Sequence, residues 1–109
     1  MLESLFGSRN RERVLLYLYG RETGYAREIA RYYRSDLDPM QKQLERLELG
    51  GVIVAKAAGR TRVYSLNPRY PFLQQLKALL ERALQFIDEN ERARLMNTRR
   101  RPRRAGKPL

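Results

Sequence analysis

The sequence predicts a mainly helical α+β domain, and three observations predict it. Apolar residues recur at helical spacing along most of the chain, as at Met40, Leu44 and Leu47. One β-rich stretch interrupts them: Val52-Ile53-Val54 and Val63-Tyr64-Ser65-Leu66 flank a basic run, Lys56-Ala57-Ala58-Gly59-Arg60-Thr61-Arg62. Length sets the scale, since 109 residues with 42% apolar content supply one modest core.

The elements follow in order. Ser8 serves as an N-cap, its hydroxyl placed to accept from free backbone N–H groups, with Asn10 as the alternative. A helix over about Arg9–Tyr19 then turns Val14, Leu15 and Leu18 inward, and Gly20 ends it. Glu22-Thr23-Gly24 reads as a turn, and Tyr25 either begins the next element or adds a very short strand. The helix Ala26–Tyr33 has a small apolar face of Ala26, Ile29 and Ala30, which lets a second helix cross closely. After a turn over Tyr33–Asp36 comes a helix over about Asp38–Leu49. Asp38 caps it, Pro39 fits its first turn and Gln41 completes a capping box; Asp36 is the alternative cap. With Met40, Leu44 and Leu47 inward, Gln41, Lys42, Glu45 and Arg46 face out. Gly50-Gly51 stops this helix, and the hairpin turns at Gly59, which tolerates a positive φ.

Tyr70-Pro71 opens a last, long helix over about Pro71–Met96, in which ten of the sixteen residues from Phe72 to Ile87 are apolar. Leu73, Leu76, Leu80, Ala83 and Ile87 form one stripe; Phe72, Leu79 and Phe86 form a second. One stripe can pack on the helix's own domain, but two require another surface, and a symmetric dimer supplies it. The sequence reading assigns the dimer interface to Leu73, Leu76, Leu80, Ala83 and Ile87. Residues 1–96 thus make one domain. Residues 97–109 form a basic tail, rich in Arg and Pro, that lacks the apolar surface to order itself.

The charge balance points to a polyanion. Lys+Arg number 23 against 12 Asp+Glu, a formal +11, of which residues 99–109 carry +6. The body is therefore basic too, which favours nucleic acid over an anionic membrane. The chain has no Cys and no His. Disulfides, thiol redox sensing and nearly all transition-metal sites are excluded, as are the usual nucleophile–base pairs. Asp36 and Asp38, like Asp88, Glu89 and Glu91, sit where capping and solvation explain them, and no Gly-rich phosphate loop is present. The expectation is a protein that is not an enzyme and needs no cofactor. No run of ~18 apolar residues suits a membrane span, and the N-terminus lacks an apolar signal core, so a cytoplasmic protein is expected.

The order of elements over residues 5–87 resembles a winged helix-turn-helix domain of the ArsR/MarR-like regulator type. Gln43-Leu44-Glu45-Arg46-Leu47-Glu48, followed by Gly51 and a strand, and Arg60-Thr61-Arg62-Val63-Tyr64-Ser65-Leu66-Asn67-Pro68 carry the resemblance. Arg34 stands where that family has Gly. The resemblance implies a transcriptional regulator that binds double-stranded DNA as a homodimer, through helix 38–49 and wing 56–62. Gln41 and Lys42 would meet base edges, and Arg46 a phosphate. Lys56, Arg60, Thr61 and Arg62 would hold the adjacent backbone, and Arg27 and Arg31 would clamp it from the preceding helix. Asp38, at the start of the helix, completes the candidate set. Two other readings are open. One is a protein-interaction adaptor, partner of a nucleotidyltransferase-like protein in a toxin–antitoxin-like pair. The other is an RNA-binding winged helix with Tyr32 and Tyr33 as stacking candidates.

Overall fold

The computed structural model describes residues 1–96; the basic segment 97–109 lies outside the described residues. A short helix α1 (Glu3–Phe6) leads into α2 (Arg9–Arg21). Ser8 caps α2 as its side chain suggests, its Oγ accepting from the Arg11 N–H at 3.2 Å. Every residue from Val14 to Gly20 is buried, so this helix is covered on all sides rather than along one stripe. Helices α1, α3, α4 and α5 and the hairpin all pack against it.

Gly20 does not end α2. The helix continues to Arg21 and closes at Glu22, whose φ is 75°. The glycine serves a different purpose: a Cβ there would stand 2.9 Å from the Leu95 carbonyl oxygen and 3.0 Å from Leu95 Cβ. It is the point at which the segment around Leu95 crosses α2.

Helices α3 (Ala26–Tyr33) and α4 (Leu37–Leu49) form the helix-turn-helix. Glu28 reaches back to the Tyr25 N–H at 3.3 Å, closing the start of α3. At its end Arg34 takes the left-handed conformation, φ 53° and ψ 43°. The Arg34 N–H donates to Arg31 O at 3.1 Å and the Ser35 N–H to Ala30 O at 2.9 Å, the paired bonds of a Schellman turn. An arginine thus occupies the position that favours glycine, at a cost of order 1 kcal/mol. Helix α4 starts one residue before the expected boundary, behind Asp36, whose side chain makes no capping bond. Asp38 is not the cap; it pairs with Lys42 at 3.4 Å. Met40, Leu44 and Leu47 are buried as their spacing requires.

Strands β1 (Ile53–Ala58) and β2 (Thr61–Leu66) pair antiparallel, with Ala58 opposite Thr61 across a two-residue turn at Gly59-Arg60. Gly59 has φ 65°. The strands are longer than the β-rich runs alone, because pairing carries them to the tip. Gly24 bridges to Tyr64 by two hydrogen bonds, 3.0 and 2.8 Å, adding a one-residue third strand just before Tyr25.

The expected single helix over Pro71–Met96 is two helices. Helix α5 (Leu73–Leu84) ends in tightened i→i+3 bonds at Gln85 and Phe86, and residues 89–96 form α6. Asp88 makes the break. Its Oδ2 accepts from the Asn90 and Glu91 N–H groups at 3.0 and 3.3 Å, which caps a new helix. The turn folds α6 back so that fully buried Leu95 lies against Gly20, and Arg21 Nε donates to Arg94 O at 3.0 Å. The stripe assigned to a dimer interface is corrected accordingly. Leu73, Leu80 and Ala83 are buried in the chain's own core, with Leu76 and Ile87 packed at its edge. The second stripe stays outside: Phe72 and Phe86 are 62% and 66% exposed.

Gly20→Ala tests this docking. The close approach of Leu95 should make the change destabilising by about 1–3 kcal/mol, whereas at an open helical site it would add about 1 kcal/mol of stability. Urea unfolding reads the sign, and a raised midpoint would mean that residues 89–96 do not seat on α2.

Candidate nucleic-acid interface

The buried stripe of α4 fixes which side chains it offers outward. Gln41, Lys42, Glu45 and Arg46 are all exposed. Beside them, α3, α4 and the hairpin enclose an open groove of about 440 Å³. Arg27 enters from α3, Gln41 from α4, and Arg60, Thr61 and Arg62 from the wing, with Tyr25, Ala26, Leu37 and Tyr64 completing the wall. Five candidate residues from three separate elements therefore share one concavity.

The other candidates lie around this groove. Arg31 is exposed on α3, and Arg46 on α4 lies beyond the groove wall. Lys42 is exposed and pairs with exposed Asp38 one turn before it, at 3.4 Å. Lys56 pairs across the hairpin with Val63, and Arg62 with Ala57. Alternation along the strands puts Lys56 and Arg62 on opposite faces of the wing. Lys56 is not among the residues that line the groove.

Further side chains that residue spacing does not reveal hold these elements in place. Glu48, in the last turn of α4, accepts a hydrogen bond from Arg62 Nη2 at 2.7 Å. The Arg62 guanidinium also lies 5.9 Å from the Tyr64 ring centroid. Hydrogen bonding to Tyr64, then to Glu48, holds Arg62 more firmly charged than an ordinary arginine. Gln43, on the inner face of α4, is buried and accepts from Arg11 Nε at 3.0 Å, while Arg11 Nη1 donates to Phe6 O at 2.8 Å. One guanidinium therefore ties α1 and α4 to α2. A glutamine among apolar positions was the available signal for a buried polar bond.

Tyr32 and Tyr33 are not free stacking platforms. Their rings meet edge-on at 4.7 Å and pack on Tyr17 at 5.3 and 6.5 Å. Arg94 and Arg21 cover Tyr32 at 5.0 and 5.4 Å, and Arg13 covers Tyr33 at 5.2 Å. Burial pushes the Tyr17 hydroxyl up to about 12, and raises Tyr32 and Tyr33 as well. Among the described residues no group of three His, Cys, Asp or Glu could hold a metal ion, and no helix is long and apolar enough to cross a membrane.

A helix-turn-helix whose second helix adjoins a two-stranded wing defines the winged-helix class. Solved structures agree. The chain is similar to the YusO protein of Bacillus subtilis, with a TM-score of 0.56 and 22% identity over 95% of this chain and 82% of that one. It is also similar to a double mutant of Lactococcus lactis ZitR in apo form, with a TM-score of 0.50 and 17% identity over 83% and 77%. At these identities the likeness is one of fold: a mainly helical winged helix with a two-stranded antiparallel sheet. No protein-family model and no curated protein sequence matches the chain.

Proposed function

We propose that this protein is a sequence-specific DNA-binding transcriptional regulator of the ArsR/MarR-like type, a cytoplasmic non-enzyme acting as a homodimer. The observation that supports it most is the meeting of Arg27, Gln41, Arg60, Thr61 and Arg62 around one open groove. A helix fits the major groove of duplex DNA, where a glutamine amide matches the donor and acceptor of an adenine edge. Gln41 is the groove residue of α4 suited to that reading. Arg60 at the wing tip and Arg27 on α3 flank it, as phosphate contacts must to fix the register. The net charge of the chain, +11, draws it to any duplex, so the bases have to supply the choice.

The dimer is proposed through the stripe that folding leaves uncovered. Leu79, Phe86, Ala83 and the Arg82 stem border an apolar hollow of about 260 Å³ with Met1 and Leu2 of the N-terminus. Exposed Leu5 and Phe72 extend the same apolar character along the terminal elements. Two copies related by a two-fold axis would cover each other's face. The adaptor reading puts a different protein on this face. The RNA reading has less support, since the tyrosines it relies on are packed together under arginines.

Two measurements test the proposal. In competition binding, Gln41→Ala should relax preference at one base position by about 1–3 kcal/mol, while Arg60→Ala should weaken all sequences alike. Uniform loss in both variants would contradict the division of roles. In sedimentation, Phe86→Glu should give folded monomers from a dimeric wild type. A wild type that is monomeric at tens of micromolar would turn the proposal toward a different protein on that face.

A further inference from the structure

The carboxylate of Glu48 sits between the two elements that border the groove. It belongs to the last turn of α4, and its Oε2 accepts from Nη2 of Arg62, on β2, at 2.7 Å. Among the described residues no other ion pair joins helix to wing. The pair is not sealed from solvent: the Glu48 and Arg62 side chains are 34% and 59% exposed. Arg62 also lines the groove beside Arg60 and Gln41. One of the wing's two groove arginines is therefore already neutralised, by a residue of the helix expected to read bases.

We propose that Glu48 is a positioning residue that withholds Arg62 from phosphate until DNA fills the groove, when the guanidinium exchanges the Glu48 carboxylate for a phosphate oxygen. The inference rests on the DNA-binding reading above and adds a brake to it. Carboxylate and phosphate present similar paired oxygens to a guanidinium, so one can replace the other without a change of geometry at Arg62. An exposed ion pair is weak enough to open when a duplex arrives. Opening it forfeits the ion pair, a penalty that falls on every DNA sequence alike. The device thus restrains binding driven by charge alone, which a chain of this net charge would otherwise favour. Arg60, at the tip and without an ion-pair partner among the described residues, makes the first contact.

The test uses the full chain as wild type, Glu48→Gln, Arg62→Ala and the double variant, with duplex DNA of random sequence at fixed salt. Glu48→Gln keeps the side chain's shape and removes its charge. It should tighten binding about two- to fivefold, the range in which exposed ion pairs act, and the gain should vanish when Arg62 is alanine. A gain that persists undiminished in the Arg62→Ala background would make Glu48 a remote charge and overturn the exchange. So would weaker binding by Glu48→Gln, since the carboxylate would then be holding Arg62 ready. A wild type that binds duplex normally, with Glu48→Gln unchanged, removes the brake alone. A wild type with no affinity for duplex removes the DNA reading and the brake with it.

Discussion

The fold depends on keeping α2 covered from every direction. Its run from Val14 to Tyr19 has no polar face to offer water, so α1, α3, α4, α5, α6 and the hairpin are arranged around it. At roughly 1.5–3 kcal/mol for each large apolar side chain fully buried, this run dominates the stability of a domain of this size. The same demand fixes the site. Because Met40, Leu44 and Leu47 must face inward, the rotation of α4 is set, and Gln41 is left facing the groove.

Polar contacts then refine what the core sets coarsely. Arg11 joins the Phe6 carbonyl to the buried amide of Gln43, so the segment bearing the exposed apolar residues is tied to the groove helix by one side chain. Glu48 and Arg62 connect the far end of that helix to the wing. The first contact is sheltered and the second is open to solvent. The helix is therefore firmly seated on α2, while its link to the wing is the part that a charged ligand can displace.

Much of this was legible in the sequence because it is local. Periodicity gave the inward face of α4, and β-rich runs around Gly59 gave the wing. Ser8 was readable as a cap because capping involves residues three apart. The failures share a cause: the deciding partner is distant or the local signal is ambiguous. A glycine after an apolar run can end a helix or admit a close crossing, and only Leu95 reveals that Gly20 does the latter. The apolar pattern runs through Phe86 and Ile87, which hid the break that Asp88 creates by capping. Once the helix breaks, α6 folds back, and the stripe of Leu73, Leu80 and Ala83 is needed at home rather than between copies. Hairpin register separates Lys56 from Arg62 and brings Arg62 to Glu48, and neither is visible in residue spacing along the chain.

The central claim is that the concavity between α3, α4 and the wing receives duplex DNA. Backbone amide NMR during a duplex titration addresses it most directly, because each amide reports on its own surroundings. The account predicts the largest shifts at Arg27, Gln41, Arg60 and Thr61, with those around Tyr32 and Tyr33 nearly unmoved. Shifts concentrated on the tyrosine cluster, or on Phe72, Leu79 and Phe86, with the groove silent, would contradict it.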